Sequence, residues 1–173
     1  MIETERLLLR RPTEDDLPGL IEVHAHPDVE RFMGAWGDLE ARSWLERVDR
    51  CWDAHGYGRL VVLQKTTGAL LGRSGLQWFD DLEEVELGWT LRREAWGRGY
   101  ASEAARAGLA WAFRDFGHEY VTSRVEPANE RSSNIATRLG MAVIRTDMWA
   151  DRPFLVYALA REAWGRERPG WEG

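Results

Sequence analysis

The chain has 173 residues, of which 44 % are hydrophobic and 30 % are charged, and its formal net charge at pH 7 is −6. Length and composition are those of one ordinary globular domain. The negative balance argues against nucleic acid as a partner, because neutralising phosphates requires clustered Lys and Arg.

Membrane and metal sites are not expected either. No apolar run approaches the length of a membrane span, and the first residues carry no apolar signal core, so we expect a cytoplasmic protein without a membrane partner. The four histidines show no metal-ligand spacing, and the single Cys51 is most simply a buried thiol. We therefore predict no metal site.

The first third of the chain predicts one strand and two helices. Residues 6–10 are predicted to form a strand, and Thr13 is a plausible cap for a helix that Pro27 would end. A second helix begins at Asp38 and is broken by Gly56. Residues 30–37 lie between the two helices and are predicted to form a linker.

Three strands follow, over residues 59–64, 69–79 and 84–91. The third alternates between an apolar face (Val85, Leu87, Trp89, Leu91) and a mixed face (Glu84, Glu86, Gly88, Thr90). A glutamate in mid-strand has two explanations: it belongs to the exposed face of a half-covered sheet, or it is a carboxylate aimed into a cleft. The alternation alone leaves both open.

A Gly97-Arg98-Gly99 turn joins this strand to a helix rich in small residues. Glycine lets bare backbone approach an anion, and a helix start offers unpaired N–H groups. No phosphate-loop Gly-Lys-Ser or Gly-Lys-Thr occurs, and the dinucleotide pattern lacks its third small residue, where Ser102 stands. A plain tight turn is the alternative.

A second motif lies in the last third of the chain, after a predicted strand over residues 120–125. Asn129 is a plausible helix cap, Gly140 ends that helix, and Ser132 shares its inward face with Ile135 and Leu139. A serine on that face needs a hydrogen-bond partner, either a ligand or the preceding turn. Strands are predicted over residues 142–146 and 154–160.

Together the two motifs resemble those of the GNAT acyl-CoA N-acetyltransferases. The family's pyrophosphate loop reads Gln/Arg-x-x-Gly-x-Gly/Ala; Gly97 and Gly99 match it, while Glu94 departs from it. The stretch over residues 96–104 is most similar to the RimJ/RimL-type branch. Asn129-x-x-Ser132, followed by Leu-Gly-Met, resembles the second cofactor motif. The resemblance covers about residues 4–164.

The fold that this resemblance implies is an α+β (mixed α/β) GNAT-like fold. It has a twisted, mostly antiparallel central sheet of about seven strands flanked by about four helices. One domain is expected over residues 1–164, with a flexible tail over residues 165–173. The linker at residues 30–37 would help to form the wall of the acceptor pocket.

The activity that the resemblance implies is transfer of an acetyl group from acetyl-CoA to a primary amine, on a protein N-terminus or a small molecule. Glu86 would be the general base. Many family members carry a tyrosine as general acid where this chain has Ala136, so Ser132 inherits the role, with Tyr100 and Tyr157 as reserves. The cofactor-binding residues would be Trp89, Leu91, Arg92, Gly97, Arg98, Gly99, Tyr100, Ala101, Ser102, Asn129 and Ser132.

Two alternatives to an enzyme stay open at this point. A non-catalytic acyl-CoA-binding sensor would use the same cofactor motifs but would need no carboxylate such as Glu86. A nucleotide-phosphate binder unrelated to CoA would need only the glycine turn. The sequence also leaves the identity of the amine and the oligomeric state, including a homodimer, undecided.

Overall fold

The computed structural model describes residues 1–166. Its strands are β1 (Ile2–Glu3), β2 (Leu7–Arg10), β3 (Arg59–Gln64), β4 (Leu70–Phe79), β5 (Glu84–Leu91), β6 (Tyr120–Val125), β7 (Ala142–Trp149) and β8 (Arg152–Ala160). Its α-helices are α1 (Leu17–Ala25), α2 (Pro27–Met33), α3 (Asp38–His55), α4 (Tyr100–Arg114), α5 (Glu130–Arg138) and α6 (Arg161–Arg166).

All eight strands form one sheet, in the order β1-β2-β3-β4-β5-β6-β8-β7. Every neighbouring pair is antiparallel except β5 and β6, which run parallel. This confirms the predicted fold class. The described residues contain one more strand and two more helices than the sequence indicated, namely β1, α2 and α6.

The prediction for Pro27 was wrong, because this residue begins a helix rather than ending one. Proline suits the first position of a helix, where its missing N–H would be unpaired in any case. His26 caps α2, since its side chain accepts a hydrogen bond from the Asp28 amide at 3.2 Å. Residues 30–33, predicted as linker, are therefore helical, and the linker shortens to residues 34–37.

The C-terminal boundary also differs from the expectation. The final helix α6 runs to Arg166, so the predicted domain end at residue 164 falls inside it. The rest of the predicted flexible tail, residues 167–173, lies outside the described residues.

The helices pack on both faces of the sheet. Helix α4 covers one face, where Leu109 contacts the cluster that holds Val85 and Leu87. Helices α1 and α3 cover the other face, where Leu20 and Val48 pack with Val61 of β3. The alternation of β5 thus places its apolar side under α4, and its glutamates on the side of α1 and α3.

The parallel pair β5 and β6 is where the sheet separates. Although β5 has 8 residues, its only partnered position on this side is Glu86, opposite Thr122. Beyond this point the carboxyl ends of the two strands diverge.

Candidate functional site

A cleft of about 790 Å³ lies where β5 and β6 diverge, a size usual for small-molecule sites. Five segments line it: the end of β5, the glycine turn, the start of α4, the start of α5, and α2. The lining includes Phe32, Met33, Trp89, Thr90, Leu91, Trp96, Gly97, Gly99, Asn129, Arg131 and Ser132.

Two backbone amides of β5 face this cleft. The Arg92 amide donates to Leu71 O of β4 at 2.8 Å, and strand amides alternate in direction, so the Trp89 and Leu91 amides point away from β4. On that side the β5–β6 ladder has already ended at Glu86. Within residues 1–166, these two donors therefore have no strand partner, and a ligand in the cleft can accept from them.

The glycine turn has the backbone that the sequence suggested. Gly97 and Gly99 have φ of 75° and 80°, in the left-handed region that favours glycine. The Trp96 indole fixes the turn by donating from Nε1 to Leu91 O at 2.8 Å. Gly99 is the N-cap of α4, so the first N–H groups of this 15-residue helix open onto the turn and the cleft.

The second motif forms the opposite wall. Asn129 caps α5, since its Oδ1 accepts from the Ser132 amide at 3.2 Å. The Asn129 amide nitrogen and the Ser132 hydroxyl make no hydrogen bond with any residue between 1 and 166. The back-bond that would have explained Ser132 structurally is absent there, and Ser133 instead accepts such a bond from Thr137.

Arg93 and Arg131 bring positive charge to the cleft, and neither is among the predicted cofactor-binding residues. The Arg93 and Arg131 guanidinium carbons lie 5.1 and 4.9 Å from the Trp96 ring centroid. Arg93 also pairs with Asp28 of α2 at 2.8 Å. Arg131 stands inside the Asn129-x-x-Ser132 motif, so its position was readable, but its approach to Trp96 depends on tertiary packing.

Two predicted cofactor residues do not line the cleft. Arg92 lies in a neighbouring depression beside α1, where it is 3.9 Å from Glu22. The Arg98 side chain is exposed, and its carbonyl accepts a hydrogen bond from Arg6. Tyr100 lines the cleft, but its hydroxyl accepts from Gln64 at 3.3 Å. Tyr157, the other reserve acid, is buried in the core and does not line the cleft.

Glu86 is not among the residues that line the cleft. One carboxylate oxygen accepts from Arg59 at 2.6 Å and the other from Arg124 at 3.0 Å. Its side chain is only 13 % exposed. Each oxygen keeps a second lone pair and can accept a further hydrogen bond, for example from a water molecule, while both ion pairs stay in place.

Glu86 belongs to a charged network, which consists of Arg59, Glu84, Glu86, Arg124, Arg145 and Asp147. Glu84 is buried and binds both Arg124 and Arg145. Hydrogen bonds from Arg145, and then from Arg124, lower the pKa of Glu84 against the opposing effect of burial. The network holds β5, β6 and β7 together on the α1–α3 side of the sheet.

Residues 1–166 contain no group of three or more His, Cys, Asp or Glu side chains that could hold a metal ion. Among the helices of that part of the chain, none has the length and apolar character to cross a bilayer.

Comparisons with known proteins agree with this geometry. The model of the acetyltransferase (GNAT) domain family matches residues 6–142. The uncharacterized protein YkkB of Bacillus subtilis is 29 % identical over 158 residues, which cover 89 % of this chain and 92 % of YkkB. The uncharacterized N-acetyltransferase p20 of Bacillus licheniformis is 27 % identical, with 79 % of each chain covered.

A solved structure gives the same result. The acetyltransferase from Agrobacterium tumefaciens superposes with a TM-score of 0.81 at 29 % identity, covering 91 % of this chain and 92 % of that one. With the family model matching well over half of its length, the chain belongs to the GNAT acetyltransferase family.

Proposed function

We propose that this acetyltransferase moves an acetyl group from acetyl-CoA to the primary amine of a protein N-terminus or a small molecule, as a RimJ/RimL-like N-acetyltransferase. The observation that carries the proposal is the pair of unpaired strand amides at Trp89 and Leu91, next to a helix start built on two left-handed glycines. Strand amides suit the arm and acyl carbonyl of an acyl-CoA, and the helix start suits its pyrophosphate.

The residues present fit acetyl-CoA. The first amides of α4, with Gly97 and Gly99, would hold the pyrophosphate, and Arg131 adds positive charge nearby. The free amide nitrogen of Asn129 would donate to the pantetheine arm. Trp89 and Leu91 would donate to the acyl carbonyl oxygen, where negative charge develops.

The chemistry needs a proton acceptor for the amine and a proton donor for sulfur. Bound acetyl-CoA supplies a thioester whose C–S bond breaks as the amine N–C bond forms, with one proton leaving the amine and one joining the thiolate. A thiol pKa of about 8.5 makes the thiolate a fair leaving group, so loss of the donor should cost less than loss of the acceptor. The Ser132 hydroxyl lines the cleft and is the proposed donor.

Glu86 is the proposed proton acceptor, acting through water. Its two ion pairs and its position outside the cleft lining favour a water relay over direct contact. Through the same ion pairs, Glu86 also positions Arg59 and Arg124. Glu86→Gln keeps the shape of the side chain while removing its charge, and separates these roles through the dependence of kcat on pH.

The test is steady-state thiol release from acetyl-CoA with four acceptor classes: N-terminal peptides, polyamines, aminoglycosides and amino acids. Wild type and Glu86→Gln are compared, and CoA binding is measured by calorimetry in parallel. We expect turnover with one class, and a fall in kcat of roughly 100-fold in Glu86→Gln with CoA affinity unchanged. A relay base would shift the acidic limb of the kcat–pH profile, whereas a purely positioning role would lower kcat equally at every pH.

The outcomes separate the alternatives. CoA binding without turnover of any acceptor would contradict the proposed acetyltransferase activity and favour a non-catalytic acyl-CoA sensor. Membership of the acetyltransferase family gives that sensor no support. Absence of CoA binding would overturn the reading of the Gly97–Gly99 turn.

A further inference from the structure

Arg73 of β4 is a buried cation that is paired with no carboxylate of the described residues. Its residue is 8 % exposed, and no ion pair joins it to any acid within residues 1–166. Of its five N–H donors, only Nε has a partner within residues 1–166, His24 Nε2 at 3.5 Å. The Nη atoms have no acceptor there, and they are not fully enclosed, so a ligand can reach them. Buried charges in proteins are normally paired, and a carboxylate ligand would supply the acceptor that the described chain does not.

The Arg73 side chain is surrounded by three ring side chains, those of His24, Trp36 and Trp44. His24 is fully buried, and its Nδ1 lies 3.1 Å from Gly34 O, which orients Nε2 toward Arg73. The Trp36 ring stacks on His24 at 3.7 Å. The Arg73 guanidinium carbon lies 5.2 Å from the Trp36 centroid and 5.6 Å from that of Trp44. These aromatic faces stabilise a cation while offering it no hydrogen-bond acceptor.

Among residues 1–166, no neighbouring anion fully balances the positive charge of Arg73. Burial, followed by repulsion from Arg59, lowers the pKa of Arg73 to about 9, and Glu86 only partly opposes this. Both Glu86 oxygens are already bound to Arg59 and Arg124. An additional carboxylate at Arg73 would restore the balance.

Arg73 is not itself part of the cleft lining, but its cross-strand neighbour Thr90 is. It lies directly opposite Thr90 in the β4–β5 register, so the two side chains share one face with Cβ atoms about 5 Å apart. Thr90 lines the cleft together with Phe32 and Met33 of α2, and is flanked by the two amides assigned to the acyl group. The linker at residues 34–37 carries Trp36 from α2 directly over Arg73.

We infer that the acceptor is a small amine bearing a carboxylate a few bonds from its nitrogen, and that Arg73 binds this carboxylate. The inference rests on the proposed acetyl transfer and narrows its substrate class. A guanidinium binds a carboxylate through two parallel N–H donors, which also fixes the position of the amine. The short distance from Thr90 and the enclosure by His24 and two tryptophans favour an amino acid over the end of a long chain.

The first experiment compares thiol release for free amino acids with release for the matching amino acid amides. In wild type we expect kcat/KM to be at least about 100-fold higher for the acids, because the amide leaves Arg73 unpaired. Arg73→Met should reduce kcat/KM for the acids by about the same factor, mainly through KM, and change the amides less than about threefold. Arg73→Lys, which keeps the charge but not the fork, should recover part of the loss.

Arg47→Met is the matched control, because Arg47 is an exposed arginine of α3 whose charge acts on Arg73 without contacting it. We expect less than a twofold effect from it. If Arg73→Met does not fold, the wild-type comparison of acids with amides decides alone. Equal use of acids and amides by wild type, or equal loss of both in a folded Arg73→Met, would overturn the inference.

A binding measurement separates this inference from the proposed function. Calorimetry with N-acetyl amino acids and their amides, in the presence of CoA, needs no turnover. Binding of the acids that Arg73→Met abolishes would support the carboxylate site even if no amine were acetylated, and only the proposed function would then fail. Turnover of neutral amines with no Arg73-dependent carboxylate binding would overturn only the inference.

Discussion

The cleft and the charged network both include residues of β5, but their polar groups differ in whether they have partners within the protein. The cleft presents backbone donors, at Trp89, Leu91 and the start of α4, that have no partner among residues 1–166. In the charged network every carboxylate is bound to at least one guanidinium. A region whose donors lack partners can bind a ligand, whereas a region whose charges are internally paired holds strands together.

The largest expected effect tests the structural role of the network. Glu84→Gln removes the charge that binds Arg124 and Arg145, and should lower the free energy of unfolding by about 2–3 kcal/mol. The measurement is urea unfolding at pH 7. Glu119→Gln is the control, because its pair with Arg161 is largely exposed and should contribute less than about 0.5 kcal/mol. Equal losses would show that burial of the network adds nothing.

The Glu84 carboxylate should also make the protein less stable at acidic pH. Because the folded pKa of Glu84 is lowered, its stabilisation is present above the unfolded value of about 4.3 and is lost as pH falls through the folded value. Wild type should therefore lose stability below about pH 4 more steeply than Glu84→Gln does. Urea unfolding between pH 5 and pH 3 checks this, and identical slopes would contradict it.

His24, on the same side of the sheet, should make the free energy of unfolding depend on pH in a second range, above that of Glu84. Burial, aided by the Arg73 charge, lowers its pKa to about 3, whereas the unfolded value is about 6.5. Below pH 6.5 the unfolded chain therefore binds a proton that the folded chain does not. The free energy of unfolding should fall by about 2 kcal/mol from this group between pH 7 and pH 5.

The measurement is urea unfolding of wild type and His24→Gln at both pH values. His24→Gln should lack this part of the loss, whatever its stability at pH 7. Burial lowers the pKa of His118 as well, so a smaller loss of the same sign should remain in the variant.

On the cleft side, a matched pair of glycines tests whether the turn binds ligand. Gly97 and Gly68 have φ of 75° and 71°, and a Cβ at either would meet no atom within 4 Å. Gly97→Ala and Gly68→Ala should therefore each cost about 1 kcal/mol of stability. Only Gly97→Ala should raise the KM for acetyl-CoA, by about tenfold, because only Gly97 lines the cleft. Equal KM values would place the pyrophosphate elsewhere.

The smallest expected effect concerns arginines at the same loop. Arg131→Met should weaken CoA binding about three- to tenfold, because Arg131 lines the cleft against Trp96. Arg98→Met should change it less than twofold, because the Arg98 side chain is exposed outside the lining. Calorimetry at two salt concentrations measures both, and a larger effect of Arg98→Met would restore its predicted cofactor role.

Local sequence was sufficient to predict the features that depend on backbone conformation. Left-handed glycines, a capping Asn and the alternation of β5 are properties of neighbouring residues, and the structure has the turn, the cap and the two faces where the pattern placed them. Pro27 was misjudged because the same residue suits both the end of one helix and the start of the next.

Only tertiary structure decided how the charged side chains are partnered. Glu86 meets arginines that are 27 and 38 residues away, and Arg73 meets a histidine 49 residues away. No periodicity encodes such distances, because they follow from strand order and from the packing of α1 on the sheet. The sequence thus determined where a ligand can meet the backbone, and the fold determined which charges remained available to receive it.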